Sequence, residues 1–332
     1  MRLGAAVTPD DGDGIPVEPR TSSARRLAAH GEHVPAKQIA SRTLRLRLDN
    51  VWAELRAACC EEPAPERIHR LRVATRRTLA AIEAFRDLLP ARRAAWFEKQ
   101  LRCIRRSAGD ARDLDVLTER LRRRPAAATS AQTAAGRGAR SRLVAMLSRR
   151  RDVSRQPIRE VRESLDAADW VGRTERLMEG ISRRRGRVEF GRYARRRFRP
   201  LMERFFARAD HKLRDAAEMH ELRIEGKKLR YALEIFAAVF PPRVRVRCQE
   251  SLEQLQRTLG EFTDHAAAAD RFRRWSREDG ANAERQTLTA LRKAEDALAD
   301  EARRAFGKWW NPSRRRQLRR AFERTLKRRT SA

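Results

Sequence analysis

IHRLRVATRR, residues 68–77, returns 151 residues later as MHELRIEGKK, residues 219–228. The same offset continues without a gap beyond these two stretches. It joins Leu101 with Leu252, Arg106 with Arg257, Gly109 with Gly260, and Asp113 with Asp264. Self-similarity at one long period is typical of a duplicated supersecondary unit rather than of a many-repeat solenoid. The sequence therefore predicts one molecule built from two related halves.

The fold class predicted from residue 37 onward is all-α. Ala, Arg, Leu and Glu dominate there with helical spacing, and almost nothing alternates as a strand would. Proline and glycine breaks at Pro90, Pro241-Pro242 and Asn311-Pro312 separate helices of bundle length. Residues 125–138, rich in Ala, Thr and Gly, are predicted to form a loop inserted in the first half.

Domain boundaries follow from the duplication and from composition. Residues 1–36 are rich in Gly, Pro, Asp, Ser and Thr without sustained periodicity, so we expect a disordered N-terminal tail. A first helical repeat is predicted over about 37–186 and a second over about 187–330. The fold expected is two pseudo-twofold-related helical bundles with a central basic groove.

The repeated helix has two unlike faces. At about 100° per residue, one face of each copy is an apolar stripe and the opposite face is basic. The predicted apolar stripes are Leu71, Thr75, Thr78, Ile82 and Phe85 in the first copy and Leu222, Gly226, Leu229, Leu233 and Phe236 in the second. The predicted basic rows are His69, Arg72 and Arg76, and His220, Arg223 and Lys227. Two such rows facing each other would form one basic surface.

The charge of the chain points to a polyanionic partner. The formal net charge is +32, with 69 Arg against 8 Lys, which creates a potential of several kT over much of the surface. A guanidinium matches two phosphate oxygens at once, whereas an ammonium offers a point charge. Genomic base composition is an equally good explanation of the Arg-to-Lys ratio, but not of the net charge.

The residues give little support for a metal site, a cofactor or a membrane span. Neither His69 nor His220 has a His or Cys three or four residues away, so no metal site and no cofactor are predicted. The four cysteines form no CxxC pattern, and no run of 18 apolar residues is present, which favours a cytoplasmic protein away from membranes. Gly109 and Gly260 suit left-handed helix caps, while Asp113 and Asp264 are expected to cap the following helices or to hold a basic side chain.

These motifs resemble those of the CHAD family, the conserved histidine α-helical domain. Residues 69–77, HRLRVATRR, are similar to its first signature, and residues 220–231, HELRIEGKKLRY, to its second. Residues 109–115, GDARDLD, resemble its Gly-any-any-Arg-Asp-any-Asp turn. The resemblance covers about residues 37–330. One departure is Thr78-Leu79, where the family usually has Leu-Arg, so the first half lacks one expected cation.

The resemblance implies non-catalytic binding of inorganic polyphosphate in a basic groove between the two repeats, with association to polyphosphate granules. The residues implied to bind polyphosphate are His69, Arg72, Arg76, Arg77, Arg112, His220, Arg223, Lys227, Lys228, Arg230 and Tyr231. It implies no particular protein partner.

Two alternatives remain open on the sequence alone. A charge of +32 attracts DNA or RNA whatever the intended ligand, and residues 314–329 resemble a basic arm. Against that reading, only 6% of the residues are aromatic, which leaves little for base stacking. The second alternative is an enzyme acting on phosphoanhydrides with His69 and His220 as acid, base or phosphoryl carrier.

Overall fold

The structure is a computed structural model that describes residues 32–60, 65–123, 134–211, 213, 215–277 and 285–327. Within these ranges the chain forms twelve α-helices and no β-strand, and an isolated bridge joins Pro35 to Glu189. The predicted all-α fold is thus confirmed. The helices are α1 (Ala36–Ala58), α2 (Pro65–Ala84), α3 (Ala91–Ser107), α4 (Gly109–Arg123), α5 (Ala134–Val153), α6 (Gln156–Ala167), α7 (Trp170–Ser182), α8 (Phe190–Asp210), α9 (Ala216–Ile235), α10 (Pro242–Trp275), α11 (Arg285–Trp309) and α12 (Pro312–Lys327).

Proline breaks are where the sequence predicts them. Helix α3 begins directly after Pro90, and helices α10 and α12 begin at Pro242 and Pro312, since a proline at the first helical position loses no hydrogen bond. The predicted loop at 125–138 ends early, because α5 already begins at Ala134, and residues 124–133 lie outside the described ranges. Most of the predicted tail, residues 1–31, also lies outside them.

The chain divides into two compact units. The larger unit comprises residues 32–197 and 267–296, and the smaller unit comprises residues 198–266 and the described residues from 297 onward. These units are defined by packing, so α8, α10 and α11 each contribute residues to both. The predicted repeat boundary near residue 186 and the pseudo-twofold relation of the repeats stay predictions.

Two of the apolar clusters that hold the larger unit together join helices distant in sequence. In the first, Trp170 is buried at the start of α7. Its ring centroid lies 5.9 Å from that of Trp52 of α1 and 5.0 Å from that of Phe97 of α3. The second joins α4 and α5 to the end of α10 and the start of α11, and comprises Leu114, Leu117, Leu121, Leu143, Leu147, Ala268, Phe272, Trp275, Leu288 and Leu291. Burial of these side chains explains why residues 267–296 pack with the larger unit.

The smaller unit has an aromatic core. Phe198 of α8 lies 4.8 Å from Phe240 and 5.3 Å from Phe322 of α12, measured between ring centroids. Phe205 contacts Trp310, which follows α11, with a centroid separation of 6.1 Å. Trp310 is buried and therefore belongs to this core.

The two faces predicted for the repeated helix are confirmed. All five residues of each predicted apolar stripe, Leu71 to Phe85 on and after α2 and Leu222 to Phe236 on and after α9, are buried. The hydroxyl groups of Thr75 and Thr78 donate to the backbone oxygens of Leu71 and Ala74, which satisfies two polar groups inside the core. Burial of one face fixes the rotation of each helix, so the basic row lies on the opposite side.

Candidate functional site

Arg72 of helix α2 packs against the junction of two other helices. Its side chain is half-buried, and Nη1 donates to the backbone oxygen of Ala108, 3.3 Å away. A β-carbon built on Gly109 would lie 3.5 Å from the same nitrogen. The guanidinium therefore rests on the junction between α3 and α4, where the backbone of a glycine leaves room for it.

Four more arginines surround Arg72 and one carboxylate. Burial lowers the pKa of Arg72, Asp113 partly offsets this effect, and the guanidinium groups of Arg76, Arg112 and Arg105 lower the pKa further. Asp113 is itself paired with Arg271 of α10, with 2.9 Å between Oδ2 and Nη2. We call this set the Arg72 cluster: Arg72, Arg76, Arg105, Arg112, Asp113 and Arg271.

The charge balance of the Arg72 cluster favours an anion. Three guanidinium groups and one carboxylate act on the partly buried Arg72, and like charges held together and partly removed from water repel each other. Bringing a phosphate-like anion to the cluster would relieve this repulsion and provide acceptors for the guanidinium N–H groups. The arrangement is thus chemically suited to binding a phosphate group.

The second copy repeats the packing of Arg72. On α9, Arg223 is half-buried, and a β-carbon built on Gly260 of α10 would lie 3.4 Å from its Nη2. The amide Nε2 of Gln256 donates to the backbone oxygen of Arg223 at 3.1 Å, which ties α9 to α10 at this level. We call the basic row of this helix the Arg223 face: His220, Arg223 and Lys227.

Glycine caps were the wrong prediction for this element. Neither Gly109 nor Gly260 has a positive φ; Gly109 begins α4, and Gly260 lies inside the uninterrupted helix α10. Each glycine instead lies beside an arginine side chain, with its β-carbon position in van der Waals contact with the guanidinium. Helix capping by Asp113 and Asp264 was likewise wrong, since both lie within helices. Asp113 instead pairs with Arg271, and a role in positioning a basic side chain of the groove stays a prediction.

The remaining predicted residues differ in exposure. His69, Arg76, Arg77 and Lys227 are half-buried on α2 or α9, and Arg112 is half-buried on α4. His220 is exposed near the start of α9, and the exposed Lys228 lies 2.5 Å from Glu225. Among the described residues, no group of three or more His, Cys, Asp and Glu side chains could hold a metal ion.

Arg230 and Tyr231 are placed differently from the other predicted residues. Both are buried, at 3% and 6% exposure. The Arg230 guanidinium lies 3.0 Å from the carboxylate of Glu234 and 4.7 Å from the ring centroid of Tyr231. In this structure both side chains contribute to the packing of α9, and their contact with a ligand stays a prediction.

Burial of Arg230 also explains the departure at Thr78-Leu79. At the offset of 151 residues, Leu79 stands where Arg230 does, and Glu83 stands where Glu234 does. Without an arginine at position 79, Glu83 pairs with Arg86 at 2.6 Å and with Arg197 at 3.6 Å. Where α9 has one ion pair within the helix, Glu83 of α2 thus has two arginine partners from outside it.

Two arginines of the Arg72 cluster were missed by the sequence reasoning. Arg105 lies near the end of α3 and Arg271 near the end of α10. Neither belongs to the matched stretches, and among 69 arginines nothing in the local sequence distinguishes them. The pairing of Asp113 with Arg271 joins residues 158 positions apart, so only the tertiary structure reveals it.

Comparison with known families agrees with the motifs and the fold. The model of the CHAD domain matches residues 42–273, which run from α1 to α10 and include the Arg72 cluster and the Arg223 face. The chain belongs to the CHAD family. The predicted family is thereby confirmed. No curated protein matches the chain.

Two solved structures share the fold of this CHAD protein. The CHAD domain from the plant Ricinus communis is 20% identical, with a TM-score of 0.64 over 89% of this chain and 94% of that one. PptA from Streptomyces chartreusis is 17% identical, with a TM-score of 0.54 over 83% of this chain and 99% of that one. At these identities the likeness concerns the fold alone. In the part of this chain that the structure describes, no helix is both long and apolar enough to span a membrane.

Proposed function

We propose that this CHAD protein binds inorganic polyphosphate without chemical turnover. The Arg72 cluster and the Arg223 face are the proposed contact surfaces, with His69 and Arg77 beside the first and Lys228 beside the second. Arg230 and Tyr231 remain part of the proposed site through the resemblance, and a groove between the repeats remains part of the proposal. We further propose that this binding brings the protein to polyphosphate granules.

The crowding of guanidinium groups around Arg72 is the observation that carries the proposal. Arg76, Arg105 and Arg112 act on a partly buried Arg72, and a single carboxylate, Asp113, offsets them. Polyphosphate carries about one negative charge per phosphate and has no other functional group, so a surface of arginine forks is sufficient to recognise it. Membership of the CHAD family supports the same ligand class.

Nucleic acid is the competing polyanion. Sequence-independent binding of single strands relies on aromatic side chains on which bases stack. In this protein Trp170, Phe97, Phe198, Phe205 and Phe322 are buried, whereas Trp52, Trp96 and Trp309 are half-buried. The Arg72 cluster and the Arg223 face contain no aromatic residue, and Tyr231 is buried, which favours a ligand without bases.

Equilibrium binding tests the proposal directly. We would measure the affinity of the full chain for long-chain polyphosphate, duplex DNA and single-stranded RNA of matched total charge, at low and at physiological salt. The variant Arg72→Ala/Arg223→Ala removes one cation from each copy of the motif. The control Arg92→Ala/Arg243→Ala removes the same charge from exposed positions of α3 and α10.

We expect the wild-type protein to prefer polyphosphate at physiological salt, and the motif variant to lose at least about tenfold in affinity where the control loses less than about threefold. Equal affinity for all three polyanions, with equal losses in both variants, would show that the protein binds polyanions nonspecifically and would contradict the proposal. The enzymatic alternative is tested by phosphate release from polyphosphate with added Mg²⁺. Turnover that disappears in His69→Ala or His220→Ala would support the enzymatic alternative instead of the binding proposal.

A further inference from the structure

The junction between α11 and α12 brings an exposed arginine onto a tryptophan ring. Helix α11 ends at Trp309, and two residues connect it to α12, which begins at Pro312. Asn311 caps α12, because its Oδ1 accepts from the backbone N–H of Arg314 at 3.0 Å. This short turn holds the Arg314 guanidinium 4.7 Å from the ring centroid of Trp309. The indole is half-buried and Arg314 is exposed, so a ligand can take the place of this arginine on the ring.

Trp309 is anchored in the aromatic core of the smaller unit. Its ring centroid lies 5.5 Å from that of Trp310, with 23° between the ring planes, and 6.4 Å from that of Phe306. Trp310 and Phe306 are both buried. A tryptophan that packing holds in place has little side-chain entropy left to lose when a flat ring stacks on it. The exposed part of Trp309 is therefore a preformed platform for an aromatic ligand.

The residues around this junction are strongly basic. Residues 302–327 contain ten Lys and Arg residues against one acidic residue, Glu323. Two of the arginines, Arg315 and Arg319, are half-buried and pair with Asp210 of α8. Four other cations of α12, which we call the α12 row, are exposed and form no ion pair within the part of the chain that the structure describes: Arg316, Arg320, Arg324 and Lys327. The α12 row is therefore available to an external anion.

The α12 row occupies one face of its helix. At about 100° per residue its four members fall within about 80° of one another, and they extend over about 16 Å of the helix. A phosphodiester backbone repeats one negative charge per nucleotide, so it can follow such a row. Arg314 lies about 120° round the helix from the row. A ligand that contacts both Trp309 and the α12 row therefore has to bend over the first turns of α12.

We propose that this surface binds single-stranded nucleic acid, with a base stacked on Trp309 and the phosphates of nearby nucleotides on the α12 row. The inference goes beyond the proposed function, because it assigns a second class of ligand to a surface outside residues 42–273, which the family model matches. The surface belongs to the smaller unit, whereas the Arg72 cluster belongs to the larger one.

Single strands fit this surface better than the other polyanions. A flexible strand can bend over the helix from Trp309 to the α12 row, whereas a duplex is stiff over this length. An unpaired base also offers its face for stacking, which a base within a duplex does not. Polyphosphate has charges but no base, so it gains nothing from Trp309. Cations that follow the backbone, together with an aromatic side chain under a base, are typical of sequence-independent binding of single strands.

Trp96 provides a matched control for Trp309. It is also half-buried, and the Arg173 guanidinium lies 4.6 Å from its ring centroid. Arg173 comes from α7, which carries two basic and two acidic residues and so provides no row of cations. The two tryptophans thus share a covering arginine but differ in the charge of the helix that supplies it.

The test measures the affinity of the full chain for a single-stranded DNA oligonucleotide of about twelve nucleotides and for an abasic oligomer with the same number of phosphates. The platform variant is Trp309→Leu, and its control is Trp96→Leu. The row variant is Arg316→Gln/Arg320→Gln. Its control, Arg92→Gln/Arg243→Gln, removes two charges from exposed positions of α3 and α10. Circular dichroism verifies the helical fold of every variant.

We expect Trp309→Leu to lose at least about fivefold in affinity for the oligonucleotide and less than about twofold for the abasic oligomer, because only a base stacks. Trp309→Phe keeps a smaller ring in the core and should lose less, which preserves the test where Trp309→Leu does not fold. The row variant should lose about five- to tenfold on both ligands. It should also reduce the salt slope by about 1.4, since each phosphate contact with a single strand contributes about 0.7.

Two results would overturn the inference. One is a loss in Trp309→Leu that Trp96→Leu matches, or that is equal on the oligonucleotide and the abasic oligomer. The other is an oligonucleotide affinity that falls in Arg72→Ala/Arg223→Ala but not in the row variant, since the strand would then occupy the proposed polyphosphate site. Failure of the proposed function has a different signature: the wild-type protein would not prefer polyphosphate to duplex DNA, whatever the Trp309 variants do.

Discussion

The side chain of Arg72 packs against Gly109. Its Nη1 lies 3.5 Å from the position that a β-carbon of residue 109 would take. Arg223 and Gly260 stand in the same relation at 3.4 Å, at the offset of 151 residues that separates the two motifs. A glycine 37 positions after each motif arginine is thus a spatial partner of that arginine.

Substitutions of Gly109 test whether polyphosphate affinity depends on the position of the Arg72 guanidinium. A methyl group at 3.5 Å is in ordinary van der Waals contact with the flexible end of Arg72, so we expect Gly109→Ala to keep polyphosphate affinity. Gly109→Leu fills the place of the guanidinium, and we expect it to lower affinity about as much as Arg72→Gln does. Affinity is measured by titration with long-chain polyphosphate, and Gly307→Leu, at an open helical position, is the control. Equal affinity of Gly109→Leu and wild type would contradict the role of this contact.

Gly226 is expected to behave differently, because it packs against a helix. A β-carbon there would lie 2.7 Å from Nε2 of Gln256 and 2.9 Å from Cδ2 of Leu255, both of which are buried. Gln256 would have to move and give up its hydrogen bond to Arg223. We therefore expect Gly226→Ala to lower the free energy of unfolding by about 1–3 kcal/mol.

Gly307 is the matched control for Gly226. It also lies within a helix of the smaller unit, but no atom stands within 4 Å of the β-carbon position. Gly307→Ala should stabilise the protein by up to about 1 kcal/mol through higher helix propensity. Denaturant unfolding measures both changes, and the same sign for both variants would disprove the close packing of α9 on α10.

Arg72→Gln should lower polyphosphate affinity without lowering the stability of the protein. The arginine is partly buried and repelled by three neighbouring guanidinium groups, so its charge is unfavourable in the unliganded fold. We expect the variant to keep its free energy of unfolding or to gain up to about 1 kcal/mol, while its polyphosphate affinity falls about tenfold. Parallel denaturant titrations and binding measurements check this, and a loss of stability matching the loss of affinity would refute it.

The sequence predicted which faces of α2 and α9 are buried, for physical reasons that concern single helices. The 3.6-residue period fixes which side of α2 and α9 is buried, and so places Arg72 and Arg223 on the opposite side. The period could not reveal Arg271, which comes from another helix, nor Arg105, which looks like any other exposed arginine of the chain. These positions depend on how helices pack, which local spacing does not encode.

Glycine and arginine illustrate the same limit. Gly260 suited a left-handed helix cap by residue type, but the structure places it inside α10 without a positive φ, beside Arg223. Arg230 follows Arg223 by seven residues and therefore lies on nearly the same side of α9, yet it is buried against Glu234. The start of α9 was not predicted, although Asp215 is a typical N-cap residue whose carboxylate accepts from the backbone N–H of Glu218 at 2.8 Å.

Arg230→Met tests whether this arginine serves the fold. Its removal leaves the carboxylate of Glu234, whose side chain is 17% exposed, without its guanidinium partner. We expect a loss of about 3 kcal/mol in the free energy of unfolding. Arg303→Met breaks an exposed pair with Asp300 and should cost less than about 1 kcal/mol. If Arg230→Met instead retains stability and loses polyphosphate affinity, Arg230 is a ligand-binding residue as the resemblance implies.

Stability should also fall at alkaline pH, through groups outside the candidate site. Burial raises the pKa of the fully buried Cys248 from an ordinary value of 9.0 to about 12, against a small opposing effect of Arg247. Burial likewise raises the pKa of Tyr193, whose hydroxyl donates to the backbone oxygen of Ala84. Above about pH 9 the unfolded thiol loses a proton that the native thiol keeps, so the native state binds more protons and is progressively destabilised.

For Cys248 alone, the free energy of unfolding should fall by about 1.4 kcal/mol per pH unit between about pH 9 and 12, with Tyr193 adding to the slope at the upper end. Denaturant unfolding at a series of pH values measures this slope. Cys248→Ala should flatten the slope whatever its effect on absolute stability, and Tyr193→Phe should flatten the upper end. Cys60→Ala, which removes an exposed thiol, is the control. Parallel slopes for wild type and Cys248→Ala would show that the buried thiol does not govern alkaline unfolding.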